Sequence, residues 1–134
     1  RGLPWVDPAL FAELMLAADL RSHAEALTGR ESVFFDRGLP DIAGYLALCG
    51  LPIPAHVERA ARRLRYRDTV FIAPPWRDIF TQDAERKQDF AEAERTFAAM
   101  ARTYPGYGYE LVELPRTSVA ERASFVLDRL RAVN

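Results

Sequence analysis

The sequence predicts an α/β fold in which a parallel β-sheet is flanked by helices. Three short apolar segments alternate along the chain with longer amphipathic segments, an order typical of β-α-β units. Helices between the strands would cover both faces of such a sheet. With 134 residues, of which 49% are hydrophobic and 28% charged, the chain has the size and composition of one domain.

The individual elements have recognisable start signals. Asp7-Pro8 begins the first helix, because aspartate is a good N-cap and proline fits the first helical position. Pro40-Asp41 begins a short second helix, and Ser118 with Glu121 forms a capping box for the last helix. The remaining expected elements are strands at about 32–36, 68–73 and 109–114, and helices at about 55–64 and 78–104.

Charge and cysteine content limit the function classes. The formal net charge is −1, whereas a general nucleic-acid-binding protein is usually clearly basic, so nucleic acid is not an expected partner. No apolar run is long enough to span a membrane. Cys49 is the only cysteine, which argues against a disulfide framework and indicates a cytoplasmic protein. The chain starts at Arg1, with no initiator methionine and no signal sequence, so we expect it to be part of a longer protein.

The strongest chemical signal lies at the end of the first predicted strand. This strand runs into Asp36-Arg37-Gly38, and ligands of open α/β sheets bind at the carboxyl ends of the strands. An aspartate there can orient a magnesium-bound water or accept a proton from a substrate hydroxyl. The adjacent arginine can bind a phosphate, and Gly38 would let a ligand approach closely. The alternative is that Asp36 and Arg37 simply end a strand and begin a turn.

A second candidate site follows the second predicted strand. Residues 76–90 form a charged segment that can close over phosphates as a lid, with Arg86 and Lys87 reaching inward. The alternative is a solvated helix with ion pairs such as Asp83–Lys87. The phosphate-loop motif G-x-x-x-x-G-K-[ST] does not occur, because Lys87 is the only lysine and Gln88 follows it.

Three segments, in this order and spacing, resemble a known family. They are Val33-Phe34-Phe35-Asp36-Arg37-Gly38, residues 73–86, and residues 108–115 with Ser118-Val119-x-x-Arg122. Together they resemble the AAA-type P-loop ATPases, a family that includes the ribosylnicotinamide-kinase domain of the bacterial NAD regulator. The resemblance implies ATP and Mg²⁺ as cofactors. It also implies ATP hydrolysis, or γ-phosphoryl transfer to a small hydroxyl-bearing substrate.

The resemblance implies roles for individual residues as well. Asp36 looks like the acid that serves magnesium or a substrate hydroxyl, and Arg37 like the phosphate-contacting arginine beside it. Arg86 and Lys87 resemble lid cations that cover the nucleotide phosphates. Leu114-Pro115 resembles the loop that passes near the adenine.

The chain departs from this family in lacking the phosphate loop and the strands around it. In the P-loop kinase strand order 2-3-1-4-5, the missing first strand is the central one. We therefore expect residues 1–134 to form a single partial P-loop NTPase-like domain of about three strands, inactive alone. The complete protein would be an ATPase or a small-molecule kinase. The alternative is a non-catalytic α/β interaction module with these charged residues on its surface.

Overall fold

The computed structural model describes residues 7–76 and 84–133, with side chains from 90 to 131 in the second range. The α/β class is confirmed. In chain order the elements are α1 (Pro8–Ala26), α2 (Leu39–Leu48), α3 (Ala55–Arg63), β1 (Thr69–Ile72), α4 (Ala84–Gly106), β2 (Glu110–Glu113) and α5 (Val119–Val133). None of the described helices is both long and apolar enough to cross a bilayer.

The two helix starts with polar caps are confirmed. The Asp7 carboxylate accepts the Leu10 N–H at 3.0 Å at the beginning of α1. The Ser118 hydroxyl accepts the Glu121 N–H at 3.1 Å at the beginning of α5. In both places a side-chain oxygen satisfies one of the N–H groups that have no partner within the helix.

Strands β1 and β2 form a parallel two-stranded sheet, which confirms the predicted strand direction. The register places Thr69 opposite Glu110, and the ladder extends past the strand ends, where Leu114 N–H donates to Ile72 O at 2.9 Å. Helix α4 connects the two strands, because a parallel pair needs a long crossover rather than a tight turn. The carboxyl ends of β1 and β2 therefore lie side by side.

The predicted strand at residues 32–36 is wrong, so the described residues contain two of the three expected strands. The segment is extended, but its backbone makes no hydrogen bond to another described residue, and the described residues form two strands. Phe35 packs against the Tyr66 ring at 5.1 Å between centroids, whereas Val33 and Phe34 are 51% and 67% exposed. An apolar run favours a strand, but a ladder needs a neighbouring strand, and β1 pairs with β2 instead.

The hydrophobic core is centred on α2, which contacts α1, α3 and α4. This short helix is apolar on nearly all sides, as expected of a helix that other elements surround. At Gly44 it lies so close to α4 that a Cβ atom would come within 2.6 Å of the Met100 sulfur. The buried core residues are Ala12, Leu16, Leu39, Ile42, Ala43, Leu46, Val57, Ala61, Met100, Tyr104, Tyr107 and Tyr109.

Candidate functional site

Asp36-Arg37-Gly38 forms a turn that leads directly into α2. Arg37 has a φ of 75°, in the left-handed region. This conformation costs a residue with a side chain about 1–2 kcal/mol and persists where surrounding contacts hold it. The Asp36 carboxylate is exposed and makes no hydrogen bond or ion pair with the described side chains. The turn therefore places an exposed carboxylate next in sequence to an arginine whose backbone is in the left-handed region.

Asp41, in the first turn of α2, holds this turn in place. Its Oδ2 accepts a hydrogen bond from Arg37 Nη1 at 3.0 Å. Its Oδ1 accepts the Gly38 N–H at 3.2 Å and the hydroxyl of Tyr104 from α4. The Asp41 side chain is 12% exposed, so these donors compensate a largely buried negative charge. The two oxygens have separate partners, because Oδ2 accepts from Arg37 whereas Oδ1 accepts from Gly38 and Tyr104.

Two more tyrosines join the turn to the rest of the molecule. The Tyr66 hydroxyl accepts the Leu39 N–H at 3.0 Å, and the Tyr109 hydroxyl accepts the Tyr66 N–H at 3.1 Å. The rings of Tyr104 and Tyr109 meet edge to face, with centroids 5.7 Å apart. Hydroxyl groups therefore satisfy backbone N–H groups at the start of α2 and before β1, where water would otherwise have to enter.

Gly38 is required by these tyrosines. A Cβ atom at residue 38 would lie 3.0 Å from two ring atoms of Tyr66 and 3.1 Å from the Tyr104 hydroxyl. The φ of Gly38 is −143°, ordinary extended backbone, so the requirement is for space. The space that we expected a ligand to use is occupied by aromatic side chains.

Burial and nearby carboxylates keep the site hydroxyls protonated. Burial raises the pKa of Tyr66 to about 12; the hydrogen bond from Leu39 acts in the opposite direction, and Asp19 and Asp41 add to the increase. Burial, followed by Asp41, also raises the pKa of Tyr104. Burial and then Asp41 raise the pKa of the Asp19 carboxyl on α1. Near neutral pH, Tyr104 is therefore a neutral hydrogen-bond donor to Asp41.

Leu114 and Pro115 lie directly after β2, at the predicted carboxyl end of the sheet. Next to them, the Arg116 guanidinium donates to the Pro75 carbonyl at 3.2 and 3.3 Å and joins the loops that follow the two strands. Among the described contacts, no hydrogen bond or ion pair connects Leu114 or Pro115 with the turn at residues 36–38. The described contacts therefore show no direct polar link between the two predicted groups.

The predicted lid, at about residues 76–90, lies largely outside the described residues. Arg86 and Lys87 belong to α4, but their side chains are not among those described, and residues 77–83 are not described either. Their role as lid cations, and the alternative Asp83–Lys87 ion pair, both remain predictions.

Asp36 is the available carboxylate for a metal ion at this turn. Within the described part of the chain, no group of three or more histidine, cysteine, aspartate or glutamate side chains is arranged to hold a metal. Mg²⁺ in nucleotide sites is usually held by one or two carboxylates, together with phosphates and water. The exposed Asp36 carboxylate fits that role, whereas both oxygens of Asp41 are already hydrogen-bonded.

Asp41 and the tyrosines were not among the expected site residues. The spacing of Arg37 and Asp41, four positions apart at a helix start, was a usable signal, because an acid there can meet both the arginine and the first N–H groups. Tyr104 had no such signal, since it lies 63 positions from Asp41 in the sequence. Only the packing of α4 on α2 brings them together.

Comparison with known families defines the class of this α/β protein. The model of the AAA domain family matches residues 1–122, so the chain belongs to this family. Membership indicates a nucleotide-binding P-loop domain. The match includes the turn at residues 36–38, the buried Asp41 and both strands. Neither the curated proteins nor the solved structures gave a match to the chain.

Proposed function

We propose that this chain forms the magnesium-side and substrate-side part of a P-loop domain. Such a domain hydrolyses ATP or transfers its γ-phosphoryl group to a small hydroxyl-bearing substrate. The observation that carries the proposal is the turn at Asp36-Arg37, where an exposed carboxylate is followed in the sequence by an arginine whose guanidinium is bound to a buried aspartate. Membership of the AAA domain family supports the choice of a nucleotide as ligand.

The two residues of the turn would have complementary tasks. Asp36, with its exposed carboxylate, would hold a magnesium-bound water or accept a proton from the attacking hydroxyl. The Arg37 side chain is 64% exposed and uses one nitrogen to bind Asp41, so its other N–H groups are free to bind phosphate oxygens. Its charge would stabilise the phosphoryl group during transfer.

The other predicted contacts belong to the same proposal. Arg86 and Lys87 would cover the nucleotide phosphates, and Leu114-Pro115 would lie near the adenine. Mg²⁺, when bound, would neutralise phosphate charge and bridge the phosphate oxygens. On this proposal the substrate-side contacts come from the start of α2, and the base contacts come from the loop after β2.

The phosphate-binding loop, on this proposal, is contributed by residues other than 1–134. Backbone N–H groups at a helix N-terminus and a lysine hold the phosphates in P-loop proteins, and this sequence has no G-x-x-x-x-G-K-[ST]. The extended segment at 32–36, whose backbone pairs with no other residue that the structure describes, supports the assignment. In P-loop kinases the strand that ends in such an acid lies beside the strand that leads into the phosphate loop.

The test is Asp36→Asn in the protein that carries this chain together with the phosphate loop. Because the substitution removes a proton acceptor and a metal ligand but no base or lid contact, we expect turnover of Mg-ATP to fall by about 100- to 10,000-fold. The ATP Kd should change little. ADP release measures the first quantity and isothermal titration calorimetry the second.

Asp68→Asn is the matched control. Asp68 is also an exposed aspartate, but it lies at the amino end of β1, away from the ligand-binding edge, so turnover should not change. Equal turnover in wild type and Asp36→Asn would remove Asp36 from the mechanism.

If the gene encodes no phosphate loop and the protein does not bind ATP, the nucleotide proposal is wrong and an interaction module remains. Low-micromolar ATP affinity of residues 1–134 alone would contradict the assignment of the loop to other residues.

A further inference from the structure

We propose that Asp41 is a positioning residue that fixes the Arg37 guanidinium for anion binding. In this arrangement Oδ2 of Asp41 holds the arginine, while Gly38 N–H and the Tyr104 hydroxyl hold Oδ1 and so fix the direction of the carboxylate. The inference rests on the proposed function for one point, namely that Arg37 binds the phosphate oxygens of the ligand.

The two partners of this ion pair are unequally buried. Arg37 is 64% exposed and Asp41 12%. An ion pair with one exposed partner contributes little to stability, because solvent screens it. The buried Asp41 carboxylate, however, is held by Gly38 and Tyr104 and so keeps its position independently of Arg37. Asp41 therefore anchors the arginine at a defined place on the surface more than it stabilises the fold.

Oδ1 of Asp41 receives donors from two separate parts of the molecule. Gly38 N–H belongs to the turn itself, whereas the Tyr104 hydroxyl comes from the end of α4. Rotation of the carboxylate would leave these donors unpaired in buried surroundings, at a cost of about 1–3 kcal/mol for each group. Because Oδ1 is held in this way, Oδ2 has one direction available to it.

Arg37 is restrained at its backbone as well as at its side chain. Its φ of 75° and the contact with Asp41 act on the same residue, one at the main chain and one at the guanidinium. A free surface arginine samples many rotamers and loses that entropy when it binds a ligand. An arginine that is already ordered loses less. The ordered guanidinium therefore binds an anion at lower entropic cost.

Asp41→Asn tests the proposal selectively. The amide oxygen can still accept from Gly38 and Tyr104. The amide NH₂ group then faces the Arg37 guanidinium, which contains donors and no acceptor, so the contact with Arg37 is lost. The substitution thus removes the arginine contact and retains the contacts to the fold. Tyr104→Phe is the complementary variant, since it removes a donor to Oδ1 and changes neither Arg37 nor Asp41.

The first measurement does not depend on activity. In ¹H–¹⁵N spectra of residues 1–134, the Arg37 guanidinium, assigned with Arg37→Lys, should give a distinct signal with restricted motion. We expect this signal to join the averaged arginine signals in Asp41→Asn and to become more mobile in Tyr104→Phe. An unchanged Arg37 signal in a folded Asp41→Asn overturns the proposal. If Asp41→Asn does not fold, Tyr104→Phe decides, and an unchanged signal there overturns it.

The second measurement uses the protein that carries the phosphate loop. A positioning role predicts that Asp41→Asn lowers kcat/KM by up to about 100-fold in the wild-type background and causes no further loss once Arg37→Ala is present. A further loss in that background would show that Asp41 acts independently of Arg37 and would overturn the proposal. If the wild type has no turnover, the proposed function fails, whereas the spectra still decide the role of Asp41.

Discussion

Asp36 and Asp41 are two aspartates five positions apart, and their surroundings give them different roles. Asp36 is exposed, and its carboxylate has no polar partner among the described side chains, whereas Asp41 is buried with both oxygens hydrogen-bonded. The sequence identified Asp36 through its place at the end of an apolar run. The spacing of Asp41 from Arg37 was a signal for their ion pair, but the burial of Asp41 depends on how α2 packs against α4 and could not be predicted from the sequence.

Glu58 and Tyr107 provide a residue-scale prediction. Glu58 accepts hydrogen bonds from the Tyr107 hydroxyl and from Arg62 Nε, both at 2.6 Å, and the tyrosine followed by the arginine lowers the pKa of Glu58 below its ordinary 4.5. We expect Tyr107→Phe to raise this pKa toward 4.5, and Arg62→Gln to raise it as well. NMR titration of the Glu58 carboxyl carbon measures both values.

The same shift has a consequence for stability in acid. A carboxyl whose folded pKa lies below its unfolded pKa stabilises the fold above the unfolded pKa, and this contribution is lost as the pH falls through the folded value. Wild type should therefore lose more stability than Tyr107→Phe when the pH falls below 4.5. Equal losses in the two proteins, measured by denaturant unfolding, would contradict the hydrogen bond as the main cause.

At the scale of elements, the sequence predicted those that carry their own signals. The starts of α1 and α5 were predicted from caps, and β1 and β2 from short apolar runs that alternate with amphipathic segments. The segment at 32–36 was predicted wrongly although it has the same kind of apolar run. A cap acts within one turn of helix, whereas a strand depends on a neighbour that its own sequence does not specify.

The contact between α2 and α4 gives a prediction at this scale. Gly44→Ala would place a Cβ atom 2.6 Å from the Met100 sulfur and 3.2 Å from the Thr103 hydroxyl, so the Met100 side chain would have to leave its place in the core or the helices would have to move apart. We expect a loss of about 1–3 kcal/mol in the free energy of unfolding. Urea denaturation measures it. Gly29→Ala is the control, because no atom lies within 4 Å of a Cβ at that position, and its stability should stay near that of wild type.

At the scale of the whole molecule, a well-packed core around α2 contrasts with the extended segment at 32–36, whose amides have no hydrogen-bond acceptor among the described residues. Hydrogen exchange should show this difference. The amides of residues 33–35 have no backbone acceptor among the described residues, so they should exchange near the rate of an unstructured peptide. The amides of Glu110 and Leu114, which donate to Asp68 and Ile72 at 2.8 and 2.9 Å, should be protected.

Comparable protection of both sets would contradict this description. It would mean that residues 33–35 pair with a strand in solution, for example with a second copy of the chain, since unpaired edges favour association. Exchange rates measured at two protein concentrations separate these cases, because pairing between copies weakens on dilution.

The distance of 63 positions in the sequence between Tyr104 and Asp41 determines whether this turn can be moved to another protein. A peptide copied from residues 32–50 would contain Asp36, Arg37 and Asp41, but none of the tyrosine hydroxyls that satisfy their surroundings. Its arginine would be an ordinary mobile side chain. A protein engineer who grafts this turn must therefore transfer α2, the end of α4 and Tyr66 as one unit.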